Sequence, residues 1–285
     1  MSFLINASSI DEAVDFLASH EGARPISGGA TLMAMKNAGL VEASHFVSLE
    51  HIAALHGIAV RADGGIHIGA MTRHRDTAES KLLTGSLNVL RRAASMIANR
   101  TVRNMGTLGG SVANADPAAD YLPALACAGA EVQICGPNGA RSVAIDDFIL
   151  DWYETALAPG EIITCIALPA PQPRPSVYRK LARVSGDFAI ASCAMALDVN
   201  DSGATINVAI GACGPKPVRD VAAEHALRGR LDDPAALAQF GEQLVALADP
   251  VDDVRGSAAY RLRLIPRLIE LTLRDLQQEK GRIHA

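Results

Sequence analysis

Two periodicities alternate along this chain. Ile10, Ala13, Phe16 and Leu17 recur at helical spacing behind Ser9-Ile10-Asp11-Glu12, a capping box, so a helix is predicted that stops by Gly22. "RPIS", "HFVSL" and "IHIGAM" are short apolar runs bounded by turn residues and predict strands. Residues 86–97 and 117–127 predict helices. "EVQIC" and "RSVAI" flank "GPNGA", where Asn138-Gly139 signals a hairpin, and "EIITCIAL" predicts a further strand.

The pattern then breaks. Pro169, Pro171, Pro173 and Pro175 alternate in "PAPQPRPS", which favours extended backbone without donors and marks a linker. Beyond it "SVYRKLARV", "AIASCAMALDV" and "ATINVAIGAC" predict three strands, with a turn at Asp201-Ser202-Gly203. From Val218 the pattern turns helical. Leu262, Ile265, Ile269, Leu273 and Leu276 share one face of a last helix, which Pro266 should start or kink. Strands followed by helices give an α+β second domain, not a βαβ repeat. The expected division is residues 1–172, in lobes of about 1–55 and 56–172, and residues 173–285.

Composition narrows the function. The chain has 285 residues, enough for two domains of about 100–200 residues each. With 26 Lys plus Arg against 31 Asp plus Glu, it lacks the basic excess of a nucleic-acid binder. No apolar run is long enough to span a bilayer, and "MSFLINASSIDEAVDF" lacks the basic start and apolar core of a signal peptide, so a cytoplasmic location is expected. Cys127, Cys135, Cys165, Cys193 and Cys213 are odd in number and contain no C-x-x-C, which disfavours disulfides, structural zinc and an iron–sulfur cluster held by this chain. Five of the eight histidines fall between His45 and His74 without metal-ligand spacing and read as surface or loop residues.

The candidate chemistry gathers on two Gly-Gly turns, Gly28-Gly29 in "ISGGATLMAMK" and Gly109-Gly110 in "TLGGSVAN". Glycine lets backbone N–H groups approach a ligand, and successive N–H groups make anion-binding nests. Thr31, Thr107 and Ser111 add hydroxyls, and a helix opening at Leu32 would favour a phosphate. Two such turns suit a pyrophosphate, although neither has the G-x-G-x-x-G spacing of the Rossmann fingerprint. Asp116 before Pro117 reads as a helix N-cap. Asp120, one turn on, could accept hydrogen bonds from ribose or adenine. "GGSVA" misses the last glycine of a nucleophile elbow, which leaves Ser111 without a hydrolase context. "YRKLARVSGDFAIAS" loads charges beside an apolar strand. It reads either as a solvated face or as a segment from which Lys180 or Asp187 reaches a ligand across the domain gap.

Together these segments resemble the FAD-binding medium subunit of the molybdenum hydroxylases, the xanthine dehydrogenase and aerobic carbon monoxide dehydrogenase family. "ISGGATLMAMK" resembles that family's first flavin loop and "RNMGTLGGSVANADPAAD" its second. "PGEIITCIALP", "YRKLARVSGDFAIAS", "GACGPKPVR" and the final helix follow in the family's order. The resemblance implies an α+β fold: a two-lobed FAD-binding domain of the vanillyl-alcohol oxidase type, then a smaller C-terminal domain with a three-stranded antiparallel sheet and a helical bundle. It implies non-covalent FAD on Ser27, Gly28, Gly29, Ala30, Thr31 and Leu32 of the first loop. Thr107, Gly110, Ser111, Asn114 and Asp120 would serve from the second. Ile162 and Ile163 would lie near the isoalloxazine, with Lys180 and Asp187 approaching from the C-terminal domain. Phe188 stands where many relatives carry Tyr or Ile. The implied partners are a small subunit with two [2Fe-2S] clusters and a large subunit with the molybdenum cofactor, in a dimer of heterotrimers. Electrons would pass from the clusters to FAD and on to an external acceptor, with no catalytic acid–base pair and no metal on this chain. The alternatives are a free-standing FAD-dependent oxidoreductase of the same fold and a non-redox assembly module.

Overall fold

In the computed structural model, residues 3–200 and 203–283 are described, so the first two residues of the turn expected at Asp201-Ser202-Gly203 lie outside them. The first lobe comprises β1 (Phe3–Asn6), α1 (Ile10–Ser19), β2 (Arg24–Ile26), α2 (Leu32–Asn37) and β3 (His45–Ser48), with its three strands parallel in the order β1-β3-β2. Ser9 caps α1 by accepting from the Glu12 N–H. Glu12 reaches back one residue beyond the expected box, to the N–H and hydroxyl of Ser8. Ala13, Val14 and Leu17 pack under the sheet with Val47, Leu49 and Leu55.

The second lobe runs through β4 (Ile58–Val60), β5 (Ile66–Gly69), α3 (His74–Glu79), α4 (Asn88–Met96), α5 (Arg100–Met105), α6 (Leu108–Asn114), α7 (Tyr121–Ala128), β6 (Glu131–Gly136), β7 (Gly139–Ala144), α8 (Ile145–Phe148), β8 (Ile149–Asp151), β9 (Glu154–Thr155) and β10 (Ile162–Leu168). β4-β5-β10-β6-β7 form an antiparallel sheet, and β8 and β9 form a separate hairpin. The Asn138-Gly139 hairpin forms as expected, with Gly139 at φ +98°. Every residue of α7 is buried, which explains a helix apolar on all sides.

The C-terminal part has β11 (Ser176–Leu181), β12 (Ala191–Asn200) and β13 (Gly203–Gly211) in one antiparallel sheet, then α9 (Val221–Ala226), α10 (Pro234–Leu247) and α11 (Ala258–Ile283). The period of two in "SCAMAL" assigns the two faces of β12. Cys193, Met195 and Leu197 meet the helices through Phe240, Ile265 and Ile269, while Ala194 and Ala196 join the core of the second lobe. The small alanine face lets α7 come close, and a Cβ on Gly211 would stand 2.8 Å from Pro123 Cγ. α11 continues through Pro266, which packs on Gly241 of α10.

Two local expectations are corrected. Gly109-Gly110 is not a turn but the first turn of α6, capped by Thr107, whose hydroxyl accepts from the Gly110 N–H at 3.2 Å. Glycine is required there because a Cβ on Gly109 would lie 2.5 Å from that of Ala70 on the β5 side. Asp116 does not cap a helix at Pro117; α7 begins at Tyr121, and Asp116 Oδ1 instead accepts from the Ala118 N–H at 2.9 Å, closing a local turn.

Candidate functional site

The β2–α2 loop and the start of α6 meet face to face. Gly28 is pressed so closely on α5 that a Cβ would stand 1.8 Å from the Met105 carbonyl oxygen, and Gly29 takes φ +68°. On the other side, a Cβ on Gly110 would come within 3.3 Å of Ser27 Oγ. Between the two lobes and the C-terminal sheet lies a cleft of about 880 Å³. That volume is at the upper end for a site taking a sizeable organic cofactor.

The residues expected from sequence converge on it. Ser27 to Leu32, Thr107, Gly110, Ser111, Asn114, Asp120, Ile162, Ile163 and Asp187 all line the cleft. Lys180 does not. Its Nζ donates to Asp120 Oδ2 at 3.0 Å and to the Met96 carbonyl at 2.8 Å, and its side chain is 6% exposed. Tyr178 donates to Asp120 Oδ1 at 2.7 Å. β11 thus meets α7 through a buried, hydrogen-bonded ion pair that ties the C-terminal domain to the floor of the cleft. Burial pushes the Asp120 carboxyl above the usual carboxylate range, while Lys180 and Tyr178 pull it back down.

The donors are distributed unevenly. Among the described residues, the backbone N–H groups of Gly28, Gly29, Ala30, Thr31 and Leu32 have no acceptor within the chain. Five consecutive free amides leading into α2 form an anion-binding concavity. The amides of the second loop are spent: Leu108 donates to the Thr72 carbonyl, Gly109 to that of Ala70, Gly110 to the Thr107 hydroxyl and Ser111 to the Thr107 carbonyl. The second loop therefore offers side chains, the Ser111 hydroxyl and the Asn114 carboxamide, and a surface stripped of Cβ atoms at Gly110. Neither side chain has a hydrogen-bond partner among the described residues. Among the described residues Ser111 makes no hydrogen bond to a histidine.

The opposite wall is apolar. Ile162 and Ile163, 2% and 5% exposed, open β10, and Leu157 precedes them. From the C-terminal domain the segment Gly186–Asp187–Phe188 closes the rim. Gly186, at φ +88°, is so near the first domain that a Cβ would lie 2.6 Å from the Ala98 carbonyl oxygen.

His74 is the residue that sequence spacing missed. The spacing of the histidines reads it as a surface or loop residue, yet it is 5% exposed on the cleft wall, against Gly106 and 5.3 Å from the Tyr121 ring. Burial, aided by Arg103, pushes its pKa down to about 4, so it is neutral at pH 7. Nothing in its neighbours along the chain signals this, because the residues that enclose it lie about 30 to 50 positions away. Among the described residues no group of three or more His, Cys, Asp or Glu could hold a metal ion, and no helix is long and apolar enough to cross a membrane.

Comparison with known proteins shows the family. Residues 1–171 match the family model of the FAD binding domain in molybdopterin dehydrogenase, and residues 176–276 match that of the CO dehydrogenase flavoprotein C-terminal domain. The carbon monoxide dehydrogenase medium chain of Afipia carboxidovorans is 36% identical over 261 residues, covering 90% of each chain. The glyceraldehyde dehydrogenase medium chain of Sulfolobus acidocaldarius is 29% identical, covering 92% of this chain and 93% of the other. Among solved structures, a Cu,Mo-CO dehydrogenase chain superposes with a TM-score of 0.92 at 32% identity over 98% of both chains. A chain of quinoline 2-oxidoreductase from Pseudomonas putida gives 0.89 at 28% identity, covering 98% and 97%. The fold is thus a vanillyl-alcohol-oxidase-type FAD-binding domain followed by a smaller α+β domain. The chain belongs to the FAD-binding medium subunits of the molybdopterin dehydrogenases, of carbon monoxide dehydrogenase and xanthine dehydrogenase type, and is an electron-transfer flavoprotein subunit of an oxidoreductase.

Proposed function

We propose that the cleft is the FAD site, with the five free amides of Gly28 to Leu32 holding the pyrophosphate. That run of unpaired donors is the observation that carries the reading. The hydroxyls of Ser27, Thr31 and Ser111 and the Asn114 carboxamide supplement it, and Gly110 leaves room for the ligand beside them. Ile162 and Ile163 supply an apolar seat for the isoalloxazine, and Asp187 and Phe188 bound its open side. Asp120 faces the same space while fixed by Lys180 and Tyr178, so Lys180 acts on the cofactor through Asp120. Bound flavin supplies the ability to take electrons singly and pass them on in pairs, and the chain supplies binding, orientation and field. No acid–base pair on this chain is needed for that role.

We infer that this chain works with a small subunit bearing two [2Fe-2S] clusters and a large molybdenum-cofactor subunit, in a cytoplasmic dimer of heterotrimers. The domain boundary is placed in the alternating-proline run at 172/173. The test is co-purification of the full chain under native conditions. Two partner chains, with iron, sulfur and molybdenum at the matching stoichiometry, are the expected result. A chain that purifies alone with FAD and oxidises an organic substrate unaided would establish the free-standing reading instead.

A further inference from the structure

The rim residue Phe188 is held from three directions. Gly186 presses on Ala98, which fixes where the loop crosses to the first domain. Two residues after Phe188, the Ile190 carbonyl accepts from Arg261 Nη1 at 2.6 Å. The Phe188 ring itself lies under Arg255, whose guanidinium carbon is 5.1 Å from the ring centroid. Both arginines are anchored on one carboxylate. Asp253 accepts from Arg261 Nη2, from Arg255 Nη1 at 3.0 Å, and from the Arg255 and Gly256 N–H groups at 2.8 and 3.1 Å. Arg261 is 4% exposed and also donates to the Ala212 carbonyl at 2.9 Å, so the anchor is set into the sheet rather than floating on the surface. Arg183, from the loop that carries Phe188, donates to the Val254 carbonyl at 3.1 Å and ties the two segments together again.

Phe188 is 44% exposed, so less packing fixes its ring than would fix a buried one. We propose that Asp253 and Arg255 are positioning residues. They hold the Phe188 ring across the open side of the cleft and so set how readily a small acceptor reaches the cofactor. Arg255 has the geometry for this: its guanidinium donates to the Asp253 carboxylate, its backbone N–H donates to the same group, and the cation is presented to the ring face. The inference rests on the cleft being the FAD site and adds to it a determinant of acceptor access.

The test uses the full chain loaded with FAD. The flavin is reduced anaerobically and mixed with p-benzoquinone, a neutral acceptor, so that loss of the arginine charge does not change the encounter rate. Two electrons and two protons pass from reduced flavin to quinone, giving oxidised flavin and hydroquinone, and the second-order rate constant is read from the return of flavin absorbance. Phe188→Ala is expected to raise it. Arg255→Gln is expected to raise it about two- to five-fold, the range that follows from losing one exposed cation–π contact, with unchanged FAD content. Arg255→Lys should bring it back towards wild type, and the double variant should match Phe188→Ala alone. Wild-type rates in Arg255→Gln beside a raised rate in Phe188→Ala would overturn the inference. So would multiplying effects in the double variant, an unchanged rate in Phe188→Ala, or loss of FAD from Arg255→Gln. A wild-type chain that takes up no FAD would overturn the cleft assignment itself, a result distinguishable by cofactor content before any rate is measured.

Discussion

Lys180→Met isolates the buried pair under the cleft. Both side chains of the Lys180–Asp120 pair are 6% exposed and 3.0 Å apart, so water screens little of the interaction. Removing one partner of such a pair costs about 3–5 kcal/mol, because the other charge stays buried without compensation. Tyr178 still donates to Asp120 at 2.7 Å, which places the expected loss near the lower end, about 3 kcal/mol. With a urea dependence of about 3 kcal/mol per molar for a chain of this size, the unfolding midpoint should fall by about 1 M. The pH dependence gives the sharper test. Burial already raises the Asp120 pKa, and loss of Lys180 raises it further. A carboxyl whose folded pKa lies above its unfolded value binds its proton better in the native state. The variant therefore regains stability as the pH falls through that folded pKa, and the gap to wild type narrows in acid. Urea titrations at pH 7.5 and 5.0 read this directly, and Asp120→Asn/Lys180→Met should recover most of the loss by removing the charge. A gap that is absent at pH 7.5, or equal at both pH values, would refute the reasoning.

Other outcomes follow from single positions. His74, with a pKa near 4 in the fold against 6.5 when unfolded, contributes stability that is complete above pH 6.5 and is lost as the pH falls through 4. The full swing is about 3 kcal/mol, and His74→Gln should flatten the stability–pH curve in that window, as followed by thermal melts. Gly28→Ala places a Cβ 1.8 Å from the Met105 carbonyl oxygen, and moving the loop costs about 1–3 kcal/mol. Drawn from binding, that weakens FAD by a factor of about 5 to 150, measurable by fluorescence titration. Gly110→Leu lies on the ligand face of α6, where the nearest atoms to the Cβ are the side chains of Thr107, Oγ1 at 2.9 Å, and Ser27, Oγ at 3.3 Å, rather than backbone. It should abolish FAD retention while leaving the far-ultraviolet circular dichroism unchanged.

Much of this architecture is legible in the chain because its causes are local. The alternation in "SCAMAL" assigns both faces of β12, and the spacing of Leu262, Ile265 and Ile269 assigns the buried face of α11. The two glycine loops are visible because glycine at close approaches has no substitute. What escapes the sequence depends on residues far apart in it. Gly109-Gly110 reads as a turn, yet it opens a helix because Ala70 leaves no room for a Cβ and Thr107 supplies a cap. Lys180 reads either as part of a solvated face or as reaching for a ligand; it is neither exposed nor on the cleft wall, because Asp120, 60 positions away, takes its charge first. For the same reason the anion-binding amides concentrate on the first loop: those of the second are used by Thr72, Ala70 and Thr107. His74 is spaced like a surface residue and is buried by Gly106 and Tyr121.

The central claim is that this cleft holds FAD. Equilibrium titration of the cofactor-free full chain with FAD, monitored by flavin absorbance after removal of free ligand, tests it most directly. The account predicts saturation at one FAD per chain, with Gly28→Ala binding more weakly and Gly110→Leu retaining none. A correctly folded wild-type chain that remains colourless, or glycine variants that bind FAD as tightly as wild type, would contradict it.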